Sequence, residues 1–176
     1  MKLADRILYA WYQWRRRDRL TGAFDNRKLQ SDFAAALQNS RHIAYVLADL
    51  DEFKSVNDKY GHHVGDEALR GVVKAFAGEC ASDHNRLGPY RQGEAFSVIL
   101  TDASADVAVK FADALRHAVE EIRIDGCPDL KITARFAVVT GAADGQDGDA
   151  FRIEAHNALY CHPDEKKRNQ VVHVAC

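Results

Sequence analysis

The chain has 176 residues, 47% of them hydrophobic, and a formal net charge of −2. That suffices for one domain with a buried core, and the near-neutral balance excludes a globally basic surface for nucleic acid. No apolar run reaches the roughly 18 residues that cross a bilayer, so no transmembrane segment is expected, and the N-terminus lacks the apolar core of a signal peptide. Cys80, Cys127, Cys161 and Cys176 show neither CxxC pairing nor zinc-type spacing with the histidines; Cys161-His162 alone is a weak metal signal. A reduced, cytoplasmic protein is the expectation.

Residues 2–19 are predicted as a helix, with Leu3, Ile7, Ala10 and Trp14 at 4-3-4 spacing. Residues 1–20 hold Lys2, Arg6, Arg15, Arg16, Arg17 and Arg19 against Asp5 and Asp18, a local +4 that leaves about −6 for the remainder. This helix can be a packing helix with a solvated arginine face, a short dimer seam, or a contact for a protein partner or an acidic membrane surface. The chain is accordingly divided at residue 19, with 20–176 as one domain.

After a turn at Leu20-Thr-Gly-Ala23, a helix is predicted from Asn26 to Gln38, burying Leu29, Phe33, Ala36 and Leu37. Ile43–Ala48 is an apolar run of strand length. Phe53 opens a helix start, and Asp66 or a neighbour caps a helix to about Gly78, with Leu69, Val72, Val73 and Phe76 at helical spacing. A hairpin follows: Arg86–Arg91, a turn at Gln92-Gly-Glu-Ala95, then Phe96–Thr101. Asp102 and Ser104 open a helix to about Glu121, and Leu130–Val139 is β-rich. Gly141–Asp149 reads as a loop, Ala150–Tyr160 as a helix and Val171–Val174 as a closing strand. The fold class is α+β, a sheet of about five strands with helices packed on it.

Chemistry concentrates in two places. Asp49 ends the first strand and Glu94 lies in the hairpin turn. If those strands are neighbours, both carboxylates emerge at one edge, and the repulsion between them is relieved by a cation. Mg²⁺ suits such a pair, since it takes a couple of carboxylates plus phosphate oxygens. Either residue alone is more simply a solvated strand end or turn. Asp51, two residues on, either joins that site or caps the following turn. Glu52, Phe53 and Lys54 offer successive backbone N–H groups at a helix start, a nest for β- and γ-phosphates.

Asp49-Leu-Asp-Glu-Phe-Lys-Ser-Val-Asn-Asp-Lys-Tyr-Gly-His62 with Gly65-Asp66, preceded by Asp18-Arg-Leu-Thr-Gly22 and Asn26-Arg27, resembles the GGDEF domain, the diguanylate cyclase family. Ala155, Ala158-Leu-Tyr160 and Arg168-Asn169 are similar to that family's closing motif, so the likeness runs from Asp18 to Val172. The resemblance implies a palm-like, mostly antiparallel sheet. It further implies Asp49, the Leu50 carbonyl and Glu94 as ligands of Mg²⁺ or Mn²⁺, with Asp49 and Glu94 catalytic. Asn57 and Asp66 would read guanine, Arg168 would contact the triphosphate, and Phe53, Lys54 and Gly93 would line the GTP site. In the family, two protomers, each with one GTP, form cyclic di-GMP as a homodimer.

Departures from the pattern are equally plain. The G-G-[DE]-E-F signature is Gln92-Gly-Glu-Ala-Phe96 here, so Gln92 adds a Cβ in the turn and Ala95 removes a carboxylate. Tyr90 stands where an arginine is usual, with Arg91 shifted by one. Pro163 replaces an expected phosphate-binding lysine, leaving Lys166 or Lys167 as substitutes. Asp83-His-Asn-Arg86 has the charges of the R-x-x-D inhibition motif reversed. Losing one electrostatic group from a catalytic site removes roughly 10²–10³ in rate. The expectation is a GTP-Mg-binding protein of cyclic di-GMP signalling with weak or lost cyclase activity. The alternative is a non-enzymatic GTP-binding or protein-interaction module acting through residues 1–19, and a scaffold with a relic site is a third reading. No sensory domain appears in the chain, so residues 1–19 would supply the input.

Overall fold

A computed structural model describes residues 16–144, 147–161 and 168–176. Within them, the order is α1 (Asn26–Asn39), β1 (His42–Leu50), α2 (Phe53–Tyr60), α3 (His62–Cys80), β2 (Arg86–Gln92), β3 (Ala95–Thr101), α4 (Ala105–Glu120), β4 (Ala134–Ala142), α5 (Gly148–Tyr160) and β5 (Val171–Ala175). The strands form one sheet in the order β2-β3-β1-β4-β5. Every pairing is antiparallel except β4 with β5. The α+β reading therefore holds, with a five-stranded, mostly antiparallel sheet.

Central β1 is apolar from Ile43 to Ala48 because helices cover both faces of the sheet. Ala44, Val46, Ala48 and Leu50 point into a core shared with α3 and α4, built around Phe76, Phe96 and Phe136. Ile43 and Tyr45 point the other way, into a core with Phe33 of α1 and Phe151 of α5. By the same alternation Asp49 belongs to the α1/α5 face, and so does Arg135, its direct partner on β4.

Several expectations need correction. Residues 16–19 are not helical: Arg17 forms an isolated bridge with Phe24 instead, and residues 1–15 of the predicted helix lie outside the described residues. Asp66 caps nothing. The chain breaks at Gly61 (φ 88°), so α2 runs to Tyr60 and α3 already begins at His62, putting Asp66 in its second turn. The β-rich stretch from Leu130 becomes a strand only at Ala134, because β1 ends at Leu50 opposite Ala134, and Leu130 and Ile132 are buried without a strand to pair with. At its other end β4 extends to Ala142, through residues expected as loop, by pairing Gly141 and Ala142 with Ile43 and His42.

Candidate active site

Asp49 is the one buried carboxylate of the described residues, 8% exposed at the end of β1. Its neighbours across the sheet are Ala95 on β3 and Arg135 on β4. The Arg135 guanidinium donates to Asp49 Oδ2 at 3.1 Å and lies over the Tyr160 ring, 4.9 Å from its centroid. The Tyr160 hydroxyl is close enough to Asp49 to influence its titration. Burial raises the Asp49 pKa above its usual value, against the pull of the Arg135 and Tyr160 hydrogen bonds, and the charge of Glu94 adds to the rise. Burial, then Asp49, push the Tyr160 phenol upward. β1 and β3 are neighbours with Asp49 opposite Ala95, so Glu94, in the turn just before Ala95, lies at the same end of the sheet.

Tyr160 reaches this edge as the last residue of α5, whose Ala155 and Ala158 are small enough to bring the helix onto the sheet. Neither Arg135 nor Tyr160 was picked out as a site residue from the sequence. A charged side chain inside the otherwise apolar run Ala134–Val139 was the available signal, because a strand covered on both faces tolerates a charge only beside a partner.

Gln92 pairs with Ala95, leaving Gly93 and Glu94 as a two-residue turn. Gly93 has φ 64°, and no other residue of the turn has positive φ, the pattern of a type II′ turn. The conformational demand therefore falls on the retained glycine. Gln92 sits in β2 at ordinary φ, correcting the expectation that its Cβ strains the turn; what it adds is an exposed side chain beside the site. Ala95 removes a side chain next to Asp49 itself. Arg91 does not stand in for the arginine replaced by Tyr90, because a one-residue shift along a strand reverses the face. It donates to Asp18 Oδ1 at 2.7 Å, while the Tyr90 hydroxyl donates to Asp32 Oδ2 at 2.6 Å on the other side.

Asp51 is committed elsewhere. Its Oδ2 accepts from Thr133 Oγ1 at 2.8 Å and from the Asn169 amide at 2.9 Å, which ties the end of β1 to the approaches of β4 and β5. Asn169 (φ 52°) is also held through its side chain by Arg116 and Glu120. This network delivers Arg168 to Glu52, with which it forms an ion pair. Glu52 is the left-handed cap of α2 (φ 50°) and makes no side-chain capping bond, so the Phe53 and Lys54 N–H groups head the helix uncapped by it. Arg168, Phe53 and Lys54 thus meet at one helix end. Lys166, Lys167 and Pro163 lie outside the described residues. Arg86 bonds the Glu79 carbonyl and Ser82 at the end of α3, a structural use of the reversed Asp83–Arg86 motif.

Asn57, half-buried on α2, packs directly on Gly65 of α3. A Cβ on Gly65 would fall 1.9 Å from Asn57 Oδ1 and 3.2 Å from the Phe53 ring, so only glycine leaves the Asn57 amide its place. Asp66 follows, half-buried, and its carboxylate makes no hydrogen bond among the described residues.

A family profile described as "Diguanylate cyclase, GGDEF domain" matches residues 15–170. The chain belongs to the GGDEF domain family. Among curated relatives, this GGDEF domain is 30% identical over 148 residues to diguanylate cyclase VdcA of Vibrio cholerae, covering 81% of this chain and 42% of that protein. It is 32% identical over 165 residues to the probable diguanylate cyclase DgcT of Escherichia coli, covering 89% and 35%. The chain therefore spans less than half of either relative. Solved structures with the same fold include the diguanylate cyclase SiaD of Pseudomonas aeruginosa in complex with its activator SiaC (TM-score 0.86, 24% identity, 98% of this chain and 66% of that one). The active GGEEF domain of a diguanylate cyclase from Vibrio cholerae aligns with TM-score 0.75 at 27% identity, over 85% of this chain and 96% of that one.

The donors at the β1 edge are Asp49, Glu94 and the Leu50 carbonyl. The described residues contain no group of three or more His, Cys, Asp or Glu side chains suited to a metal. Two carboxylates and a strand-end carbonyl are nevertheless hard oxygen donors, and Mg²⁺ is commonly held by one or two carboxylates with phosphates and waters completing its shell. The set fits. No helix among the described residues is long and apolar enough to cross a membrane.

Proposed function

We propose that this GGDEF domain binds GTP with Mg²⁺ or Mn²⁺ and has weak or lost diguanylate cyclase activity, within cyclic di-GMP signalling in the cytoplasm. The observation that carries this reading is the pair of residues flanking Asp49: a methyl group at Ala95 and a guanidinium at Arg135. The carboxylate most needed for phosphoryl chemistry has one cation already bound to it and no acidic neighbour on either strand. The base end is undamaged, with Asn57 seated on Gly65 and Asp66 beside it.

In the reaction 2 GTP → cyclic di-GMP + 2 pyrophosphate, each 3′-oxygen attacks the other nucleotide's α-phosphorus as pyrophosphate leaves and the hydroxyl proton is lost. Two protomers face each other for this, so a homodimer is part of the proposal. A divalent cation held by Asp49, Glu94 and the Leu50 carbonyl would supply charge neutralisation of the departing pyrophosphate. Asp66 accepts hydrogen bonds from the donor edge of guanine, which adenine lacks, and Asn57 supplements that contact. Phe53 and Lys54 N–H groups, with Arg168, hold the phosphates, and Gly93 lets the turn lie close to the nucleotide.

A second reading, a protein-interaction module acting through residues 1–19, is favoured by the +4 charge of residues 1–20 and by Trp11 and Trp14. SiaD is a fold relative seen with an activator protein. Deleting residues 1–19 and comparing oligomeric state and pull-down partners tests this; unchanged behaviour removes it.

The main proposal is tested by incubating purified protein with GTP and Mg²⁺ or Mn²⁺ and measuring cyclic di-GMP by chromatography, with Asp49→Ala as blank. Little or no product above the blank is expected. Turnover as fast as that of an intact-signature GGDEF domain assayed in parallel contradicts it.

A further inference from the structure

Arg135 occupies a position with chemical consequences. It is the residue directly opposite Asp49 on β4, and opposed side chains on one sheet face start about 5 Å apart, so the sheet register keeps the root of the Arg135 side chain beside Asp49. The pair is well shielded, with the Arg135 side chain 23% and the Asp49 side chain 11% exposed. The Tyr160 ring lies beneath the guanidinium, 4.9 Å from ring centroid to Arg135, and holds it over the Asp49 edge. An arginine stays charged at any working pH, so this is a permanent positive charge where a metal ligand is expected.

We infer that Arg135 is a tethered cation that competes with divalent metal for Asp49, so that this chain holds its nucleotide with much less dependence on metal than two-carboxylate coordination would impose. The inference rests on the GTP reading above and adds a residue to it. Two effects combine. Asp49 must release Arg135 to ligate a metal ion, and a divalent ion on Asp49 then lies a few ångströms from a fixed positive charge. Ligand charge count tunes divalent-ion affinity, and Arg135 lowers the effective charge of the Asp49–Glu94 pair from −2 toward −1.

The test is Mn²⁺ binding without nucleotide, followed by electron paramagnetic resonance of the free ion, on wild type, Arg135→Ala and Arg135→Lys. Arg135→Ala is expected to bind Mn²⁺ at least about tenfold tighter than wild type, and Arg135→Lys, which keeps the charge, to stay within about threefold of it. Equal affinity in wild type and Arg135→Ala overturns the inference. Thermal melts accompany each protein, and Arg135→Gln, which keeps a hydrogen bond to Asp49 without the charge, takes the place of the alanine variant if that one does not fold. A parallel titration with a fluorescent GTP analogue, in Mg²⁺ and in EDTA, separates the two claims. Wild type is expected to keep more of its affinity in EDTA than Arg135→Ala by about tenfold, and an equal loss in both overturns the inference. Failure of all variants to bind the analogue refutes the GTP reading, while the Mn²⁺ comparison still decides the role of Arg135.

Discussion

Replacing Gly65 with alanine separates recognition from stability, because the two are expected to move independently. The new Cβ would fall 1.9 Å from Asn57 Oδ1 and 3.0 Å from Asn57 Cγ, with the Phe53 ring tip at 3.2 Å. Backbone is not in the way, so the Asn57 side chain swings off and the ring yields slightly. Forcing a side chain off its rotamer costs roughly 0.5–1.5 kcal/mol. Gly65 lies inside α3, where alanine over glycine returns about 1 kcal/mol. The stability change is therefore within about 1 kcal/mol of zero. Binding does not share this cancellation. If Asn57 reads the base as proposed, its displacement loses one hydrogen bond, worth roughly 0.5–1.5 kcal/mol, or about a 2–13-fold loss in GTP affinity. Isothermal titration with GTP and a urea melt measure both quantities. Asn57→Ala is expected to reproduce the affinity loss, and the double variant to lose no more than either single one. Unchanged GTP affinity in Gly65→Ala, or full additivity in the double variant, refutes Asn57 as a base reader.

Gln92→Gly is expected to lower stability by about 0.5–1 kcal/mol, since the change adds backbone freedom to a strand whose positive φ is already met by Gly93; a stabilised variant in thermal melts contradicts the placement of the turn. Gly93→Ala at φ 64° is expected to cost about 1–2 kcal/mol in the same assay. The Asp18 carboxyl is pushed up by burial but pulled further down by its bonds to Thr21 and Arg91, so its folded pKa lies below 3.8. Its contribution is therefore present above pH 3.8 and lost as pH falls through the folded value, and Arg91→Ala is expected to lower stability by about 1–2 kcal/mol at pH 7 and by less at pH 3 in chemical melts. Tyr90→Phe removes the bond to Asp32, which keeps Lys28 as a partner, and is expected to cost about 1 kcal/mol.

Periodicity carried most of the architecture, because helices and strands of this length declare their buried faces: Leu69, Val72, Val73 and Phe76 on α3, and the apolar β1. It misjudged places where local pattern and pairing diverge. Leu130 and Ile132 alternate like a strand but face the core without a partner, and the start of α3 is set by the backbone of Gly61 rather than by the capping chemistry of Asp66. Motif spacing singled out Asp49, Asn57, Asp66, Glu94 and Arg168 as the proposed site. What it could not supply is what surrounds them. Register decides that Ala95 and Arg135 bracket Asp49, and that Arg91 faces away from the side Tyr90 occupies. Asp51, a candidate for the metal edge, proves to be a brace between three segments because Thr133 and Asn169 reach it across more than 80 residues of sequence.

One sample tests the central claim most directly: the purified chain titrated with GTP and with ATP in Mg²⁺ by calorimetry, then held at saturating GTP and assayed for cyclic di-GMP. Binding that favours GTP over ATP, is weakened by Asp66→Asn, and gives product barely above the Asp49→Ala blank is the expected result. No GTP binding by the folded protein, or brisk cyclic di-GMP formation, contradicts the account.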